Sequence, residues 1–236
     1  MSAGRKEIQR ARMWRYFLDA ATDVIENEGI DNVTIRKIAD KAGYTSSTAY
    51  NYFQDLSHLK FFAAMRFTKD YIEDLPHYME KGNNTVEKWL YAWECFCKYS
   101  FEQPQIYSVI FINNLGSIPE DLLENYYKVY QNDLIGLPEQ IQSIVMEHTL
   151  STRSALYIQD AVEEGFIEQK DIEFIADTTL LLWKGMMTTV MNQRRNYSVD
   201  EAIDRTLDYI YESVMRVVSP EKRKEIAFHP VRNNRS

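Results

Sequence analysis

Apolar residues recur at three- and four-residue steps along nearly the whole chain, and strand-like alternation is nowhere sustained. Met13, Phe17, Ala20, Ala21, Val24 and Ile25 make Ile8 to Glu28 one amphipathic helix, with Gly29 in the left-handed position that ends it. Ile35, Ile38, Ala39 and Ala42 share a face of a short helix, Gly43 supplies a tight left-handed turn, and a second short helix begins at Thr45. After Phe53, Asp55 or Ser57 caps a long helix to about Met79, burying Leu59, Phe62, Ala63, Phe67 and Tyr71. Lys81 to Asn84 is a break, and Asn84 with Glu87 starts a helix carrying Val86, Trp89, Leu90, Trp93, Phe96 and Cys97 on one side. Pro104 opens the next helix. Ser117 and Glu120 have capping-box spacing ahead of a stretch through Tyr130, and Leu137-Pro138 begins a helix ending near Gly165.

The two final segments read differently. From Ile172 to Met191 apolar residues cover more than one face, among them Leu180, Leu181, Leu182, Trp183, Met186, Met187 and Val190, so this helix is buried on several sides. Ser198 and Glu201 form a capping box ahead of Ala202, Ile203, Thr206, Leu207, Ile210, Val214 and Val217. Two such helices suit pairing with their copies in a second subunit as a four-helix interface, giving a homodimer; a larger intramolecular core is the simpler use of the same pattern. From Ser219 to Ser236 the composition turns polar, with Pro220, Pro230 and a local charge of +3, and predicts a frayed tail. The fold class is all-α.

The stretch from Thr34 to Phe53 is the most specific part of the pattern. Two short helices about a glycine turn form a helix-turn-helix. Thr34 is placed as an N-cap whose hydroxyl can serve the backbone or a phosphate. The second helix offers Thr45, Ser46, Ser47, Thr48, Tyr50, Asn51 and Tyr52, a run of hydroxyls, an amide and hydrogen-bonding aromatics that suits phosphates and base edges better than a core.

A net charge of −8 runs against this reading until its distribution is considered, because affinity for DNA comes largely from neutralising phosphates. Residues 1–60 carry nine Lys or Arg against eight acids, leaving −9 on the remainder, and five of the nine lie between Arg5 and Arg15. The chain has a DNA-facing end and an acidic body. Cys95 and Cys97 stand too close in sequence for a useful disulfide and point to nearly opposite sides of a helix, so they read as buried thiols. With no secretory start and an apolar run from Thr179 to Met191 interrupted by Lys184, a cytoplasmic protein with no membrane contact is expected.

Placed after a long first helix and before another, the motif resembles the N-terminal pattern of the TetR family of transcriptional regulators. The likeness is carried by Ala20, Ala21, Gly29, Thr34, Ile38-Ala39, Ala42-Gly43, Thr48, Tyr50, Tyr52-Phe53 and Leu59, over about the first 60 residues. The resemblance implies a homodimer that places paired motifs in successive major grooves of a palindromic double-stranded DNA operator, and a body that binds a small-molecule effector. It implies residues 1–54 as the DNA-binding domain, 55–218 as the helical effector-binding and dimerisation domain, and 219–236 as a polar tail. On the same footing, Arg36 reaches a base, Ser46, Ser47 and Asn51 vary with operator sequence, and Thr34, Thr45, Thr48, Tyr50 and Tyr52 hold phosphate. Phe53 is assigned to packing. One departure is Leu56, which occupies a position where many members carry a phosphate-binding lysine; Lys60 or the arginines of the first helix would replace it.

Trp89, Trp93, Phe96, Phe111, Trp183 and Met187, with Met186 beside them, suit an apolar cavity for a hydrophobic or aromatic effector, and suit an ordinary core equally well. No HExxH, GxSxG or phosphate-loop pattern occurs, and His148 beside Glu147 diverges from it by about 100° on a helix. The reading is therefore a non-enzymatic, ligand-responsive regulator, a repressor, needing no metal or cofactor. The other reading is an effector-independent DNA-binding protein whose body dimerises or recruits a protein partner.

Overall fold

A computed structural model describes residues 2–53, 56–113, 150–193 and 195–230. Among the described residues every regular element is helical. In chain order these are α1 (Ser2–Glu28), α2 (Ile35–Ala42), α3 (Ser46–Tyr50), α4 (Leu56–Met65), α5 (Lys69–Met79), α6 (Thr85–Glu102), α7 (Pro104–Phe111), α8 (Leu150–Ile158), α9 (Asp160–Glu163), α10 (Ile172–Met191) and α11 (Val199–Val217). The Ser117/Glu120 capping box, the helix start at Leu137-Pro138, His148 and the candidate cap Asp55 lie outside the described residues. By packing, the chain forms two compact units, Met1–Lys69 with Gln105–Gly136, and Asp70–Pro104 with Leu137–Ser236.

In the first unit α1 is the central element, with α2 and α4 packed on it and α3 packed on α2. It begins at Ser2 rather than Ile8, because helical hydrogen bonding propagates through polar residues that give no apolar period. Phe17, Leu18, Ala21, Val24 and Ile25 of α1 meet Ile38, Ala39, Ala49, Phe53, Leu59 and Phe62 in the core. Phe53 stacks on Trp14 at 5.0 Å, and Trp14 lies 4.7 Å from Phe62. Those contacts draw α4 into this unit. Arg66, just beyond α4, donates to Asp19 at 2.6 Å and so ties that end back to α1.

Two details of this unit differ from the sequence reading. Gly29 has φ 84° but ψ 156°, an extended glycine-only conformation instead of the left-handed helical one, because the chain must leave α1 directly into a 3-10 turn over Ile30–Asn32. The helix expected to run unbroken to Met79 is divided between α4 and α5 by a 3-10 turn over Arg66–Thr68. There the Thr68 hydroxyl donates to the Met65 carbonyl at 2.7 Å, a local bond that competes with the helical ladder.

The second unit is built around α6, which is packed by α8, α10 and α11. Its start follows the expectation: Asn84 Oδ1 accepts from the Glu87 backbone N–H at 2.9 Å. The expected one-sided burial does not hold. Tyr91, Ala92, Glu94, Cys95 and Ser100 are buried along with the apolar face, since neighbours surround α6. On α10 the balance is reversed, with Ile175, Ala176, Thr179, Trp183, Met186 and Met187 buried while Phe174 is 53 % and Leu181 68 % exposed. The capping box of α11 forms as read: Glu201 N–H donates to Ser198 Oγ at 3.1 Å and Ser198 N–H to Glu201 Oε2 at 2.9 Å.

The frayed-tail expectation is corrected over residues 219–230, which dock on the second unit. The Ser219 N–H donates to the Phe166 carbonyl at 2.8 Å, Ile226 is buried, and the Phe228 ring lies 4.9 Å from Tyr91 and 6.2 Å from Tyr211. The Ala227 N–H donates to the Glu87 carboxylate, so buried apolar contacts and long-range hydrogen bonds together hold a segment whose composition is otherwise that of a loop.

Candidate nucleic-acid interface and body cavity

The helix-turn-helix is held by its own polar side chains. Thr34 is extended (φ −130°, ψ 150°) and its hydroxyl accepts from the Lys37 N–H at 3.3 Å, the N-cap of α2. Gly43 has φ 77° and ψ 27°; its N–H donates to Asp40 O at 3.2 Å while Tyr44 N–H donates to Ala39 O at 2.9 Å, so the left-handed residue closes α2. A side chain there would be strained by the backbone alone. Thr45 caps α3 by accepting from the Thr48 N–H at 3.3 Å, and its hydroxyl lies 2.9 Å from both Ser47 Oγ and Thr48 Oγ1.

The buried side of this motif is Ile38, Ala39, Ala49 and Phe53. Its outer side carries Thr34, Arg36, Thr45, Ser47, Tyr50 and Asn51, all exposed, with Ser46, Thr48 and Tyr52 half-buried. Arg36 stands out into solvent, its side chain 88 % exposed and only loosely paired with Asp40 at 3.8 Å. Tyr50 is 53 % exposed, whereas Tyr52 leans on Phe17 with ring centroids 6.1 Å apart. The predicted set therefore divides between side chains standing clear and side chains partly engaged in packing.

Two features of this surface were not read from the sequence, and a third sharpens its charge distribution. Lys37 is paired with Glu28 at 2.6 Å and Lys41 with Asp23, so two cations of the motif are already compensated by α1. Exposed Tyr44 lies beside exposed Tyr16 of α1, ring centroids 6.5 Å apart, adding two phenols to the same unit. The exposed, uncommitted positive character shifts toward Arg10, Arg12 and Arg15 of α1. Pairs such as Glu28 and Lys37 span the Gly29 turn, where helical spacing rules have no purchase.

In the second unit a cavity of about 20 Å³ is lined by Tyr71, Trp89, Ala92, Trp93, Phe96, Arg153, Ser154 and Tyr157. That volume admits a water and no aromatic ring. Trp89 and Trp93 meet edge to face at 6.3 Å, and Trp93 and Phe96 at 5.8 Å. Of the residues expected to form a pocket, Trp89, Trp93 and Phe96 are together in its wall. Trp183 and Met187 are fully buried outside it, Trp183 packing on Phe96 at 5.0 Å and donating its indole N–H to Ser100 Oγ at 2.9 Å. Phe111 lies in the first unit, 6.1 Å from Tyr107.

The cavity's polar residues were missed. Arg153, Ser154 and Tyr157 fall within one turn of α8, and Trp89 Nε1 donates to Ser154 Oγ at 3.0 Å. Burial pushes the Tyr157 phenol well up, and its hydroxyl makes no hydrogen bond with the described residues. Burial also raises Tyr71 to about 12, offset in part by the charge of Arg153, which hydrogen-bonds its phenol. The i, i+1, i+4 spacing was visible in the sequence, but nothing in it said that this face of α8 turns inward.

Both thiols are buried and free, and burial raises each well out of the range of a reactive cysteine, with nearby Asp74 adding to the shift at Cys95 and Glu94 at Cys97. Among the described residues no helix is long and apolar enough to cross a membrane.

Among the described residues, fold and motif together define an all-α chain with an N-terminal helix-turn-helix. Residues 17–59 match the family model for bacterial regulatory proteins of the tetR family. Solved structures with a similar fold include RolR in complex with resorcinol (16 % identity, 89 % of this chain and 94 % of that one covered, TM-score 0.57). The Thermus thermophilus transcriptional repressor FadR in complex with lauroyl-CoA is similar over 85 % of this chain and 94 % of its own, at 14 % identity and TM-score 0.58. A TetR-family transcriptional regulator from Mesorhizobium loti is similar over 89 % and 98 %, at 16 % identity and TM-score 0.54. At these identities the likeness is one of fold. A comparison with curated proteins finds no match.

Proposed function

We propose that this protein is a dimeric transcriptional repressor that binds a palindromic operator through residues 1–54 and is released when a small hydrophobic or aromatic effector enters the body formed by residues 55–218. The observation that carries the reading is the capped helix-turn-helix: one side buried on α1, the other presenting Arg36, Thr45, Ser47, Tyr50 and Asn51 to solvent. Arg36, Ser46, Ser47 and Asn51 read sequence, while Thr34, Thr45, Thr48, Tyr50 and Tyr52 hold phosphate. Support for the dimer comes from Phe174 and Leu181, exposed at i and i+7 on one face of α10, where an isolated chain would leave large apolar groups in water. Support for an effector comes from the cavity against α6 and from the ligands bound by RolR and FadR.

Half-sites on one face of B-DNA lie about 34 to 36 Å apart, so shifting the reading heads by a few ångströms is enough to lose register. By linkage, an effector that weakens operator binding must itself bind operator-bound protein less tightly. The test is selection of DNA from a random pool by the full-length protein, followed by titration of an effector against free and DNA-bound protein. A two-fold symmetric consensus and unequal effector affinities are expected; a selected pool without symmetry overturns the dimeric operator, and equal affinities overturn effector release. The effector-independent reading draws on one observation, the water-sized volume of the cavity. Binding of no effector, with the symmetric consensus retained, is its signature.

A further inference from the structure

We propose that the cavity against α6 takes a small aromatic acid, its ring among Trp89, Trp93 and Phe96 and its carboxylate on Arg153, Ser154 and Tyr157. The inference rests on the effector reading above and names the ligand class for that site.

The cavity has two chemically distinct walls. α6 contributes three aromatic rings meeting at steep angles, 77° between Trp89 and Trp93 and 80° between Trp93 and Phe96, which leaves both ring faces and edges for a flat apolar body. α8 contributes a cation and two hydroxyls from a single turn. Arg153 is only 6 % exposed, and a guanidinium stays charged wherever it is put. It already holds the Tyr71 phenol, so what it offers a ligand is chiefly its positive field at short range in a poorly solvated site.

The two hydroxyls are donors in search of an acceptor. Ser154 Oγ accepts from Trp89 Nε1, which leaves its own O–H to donate. Tyr157 carries a buried O–H with no hydrogen-bond partner among the described residues, and such a group is destabilising until something accepts from it. None of the eight lining residues is acidic. A ligand that completes this wall must bring acceptors and negative charge and no donors. A carboxylate does so with two oxygens. A neutral arene leaves Tyr157 as it is, and an amine adds a second cation beside Arg153. At about 20 Å³ the cavity must widen to admit a ring, so the occupied body differs in packing from the unoccupied one, which an effector requires.

The test uses the full-length protein, isothermal titration and tryptophan fluorescence, with 2-naphthoate, its neutral counterpart 2-naphthamide and the cationic 2-naphthylmethylamine as probes. Variants are Tyr157→Phe and Arg153→Gln, each checked by a thermal melt. 2-Naphthoate is expected to bind at least about tenfold more tightly than the amide and to leave the amine undetected. Tyr157→Phe should weaken 2-naphthoate about tenfold, and Arg153→Gln should remove the preference for the acid over the amide. Equal affinity for acid and amide, or a Tyr157→Phe variant that binds the acid as the parent does, overturns the anion-binding inference and leaves an effector site of other chemistry. No binding by any of the three probes overturns both the inference and the cavity as the effector site. If Arg153→Gln does not fold, Tyr157→Phe decides alone, since it removes only an unpartnered hydroxyl.

Discussion

Glu87 and Ala227 are joined across 140 residues of sequence: the carboxylate Oε1 at the start of α6 accepts the Ala227 backbone N–H at 2.7 Å. The other oxygen accepts from the Asn83 N–H, also at 2.7 Å. Burial works against the charge of this carboxylate, but the two backbone donors, with the side chains of Asn83 and Asn84, outweigh it and hold its pKa below the usual range. One carboxylate therefore closes the turn before α6 and docks the segment beyond α11.

Glu87→Gln keeps the shape but turns an amide N–H₂ toward one of those donors. A loss of about 1–3 kcal/mol in denaturant unfolding is expected, with faster amide exchange confined first to residues 225–230. Because the folded-state pKa is depressed, the contribution of Glu87 is fully present above the unfolded value of about 4.3 and fades as pH falls through the folded value. The difference in stability between parent and variant should accordingly shrink in acid. Equal exchange rates at 225–230 in the two proteins would refute the docking role.

Phe53→Ala removes a ring packed on Trp14, Phe17 and Phe62 at the end of the reading motif. A cost of about 3–5 kcal/mol is expected in thermal or urea unfolding of the first unit. DNA binding should be lost together with helicity there, which distinguishes it from a change at the DNA face.

Arg36→Ala removes a side chain that touches little but Asp40, so the melting temperature should stay within error of the parent. Discrimination at one operator position should fall by about 1–3 kcal/mol, measured by competition with operators mutated base by base. A uniform loss across all sequences would assign Arg36 to phosphate instead.

Tyr50→Phe deletes one neutral donor and no charge. Affinity should fall by about 0.5–1.5 kcal/mol for every sequence alike, while the dependence of binding on salt keeps its slope, since no counterion-releasing group is removed. A changed slope would contradict the neutral phosphate contact.

Leu181→Asp puts a charge at the most exposed apolar position of α10 without touching the core beneath it. Sedimentation should report a monomer where the parent is a dimer, with far-UV circular dichroism unchanged. Operator affinity should drop with it, because two half-sites are then bound independently. A variant that remains dimeric moves the interface away from this face.

The chain by itself determined the helical class, the turn at Gly43 and the caps at Thr34, Asn84 and Ser198, since each depends on residues three or four apart or on a backbone only glycine adopts. The hydroxyl-rich face of α3 was legible for the same reason. Only the tertiary structure decided that burial of α6 extends well beyond its apolar face, that Phe174 and Leu181 stand out on α10, that Lys37 and Lys41 are already paired, and that Arg153, Ser154 and Tyr157 turn toward Trp89. The same holds for the docking of residues 219–230, where Phe228 meets Tyr91 and the Ala227 N–H meets Glu87 on a helix far earlier in the chain. Helical periodicity identifies an apolar side chain and the face it occupies; which neighbour covers that face depends on how distant segments pack, and no local spacing encodes it.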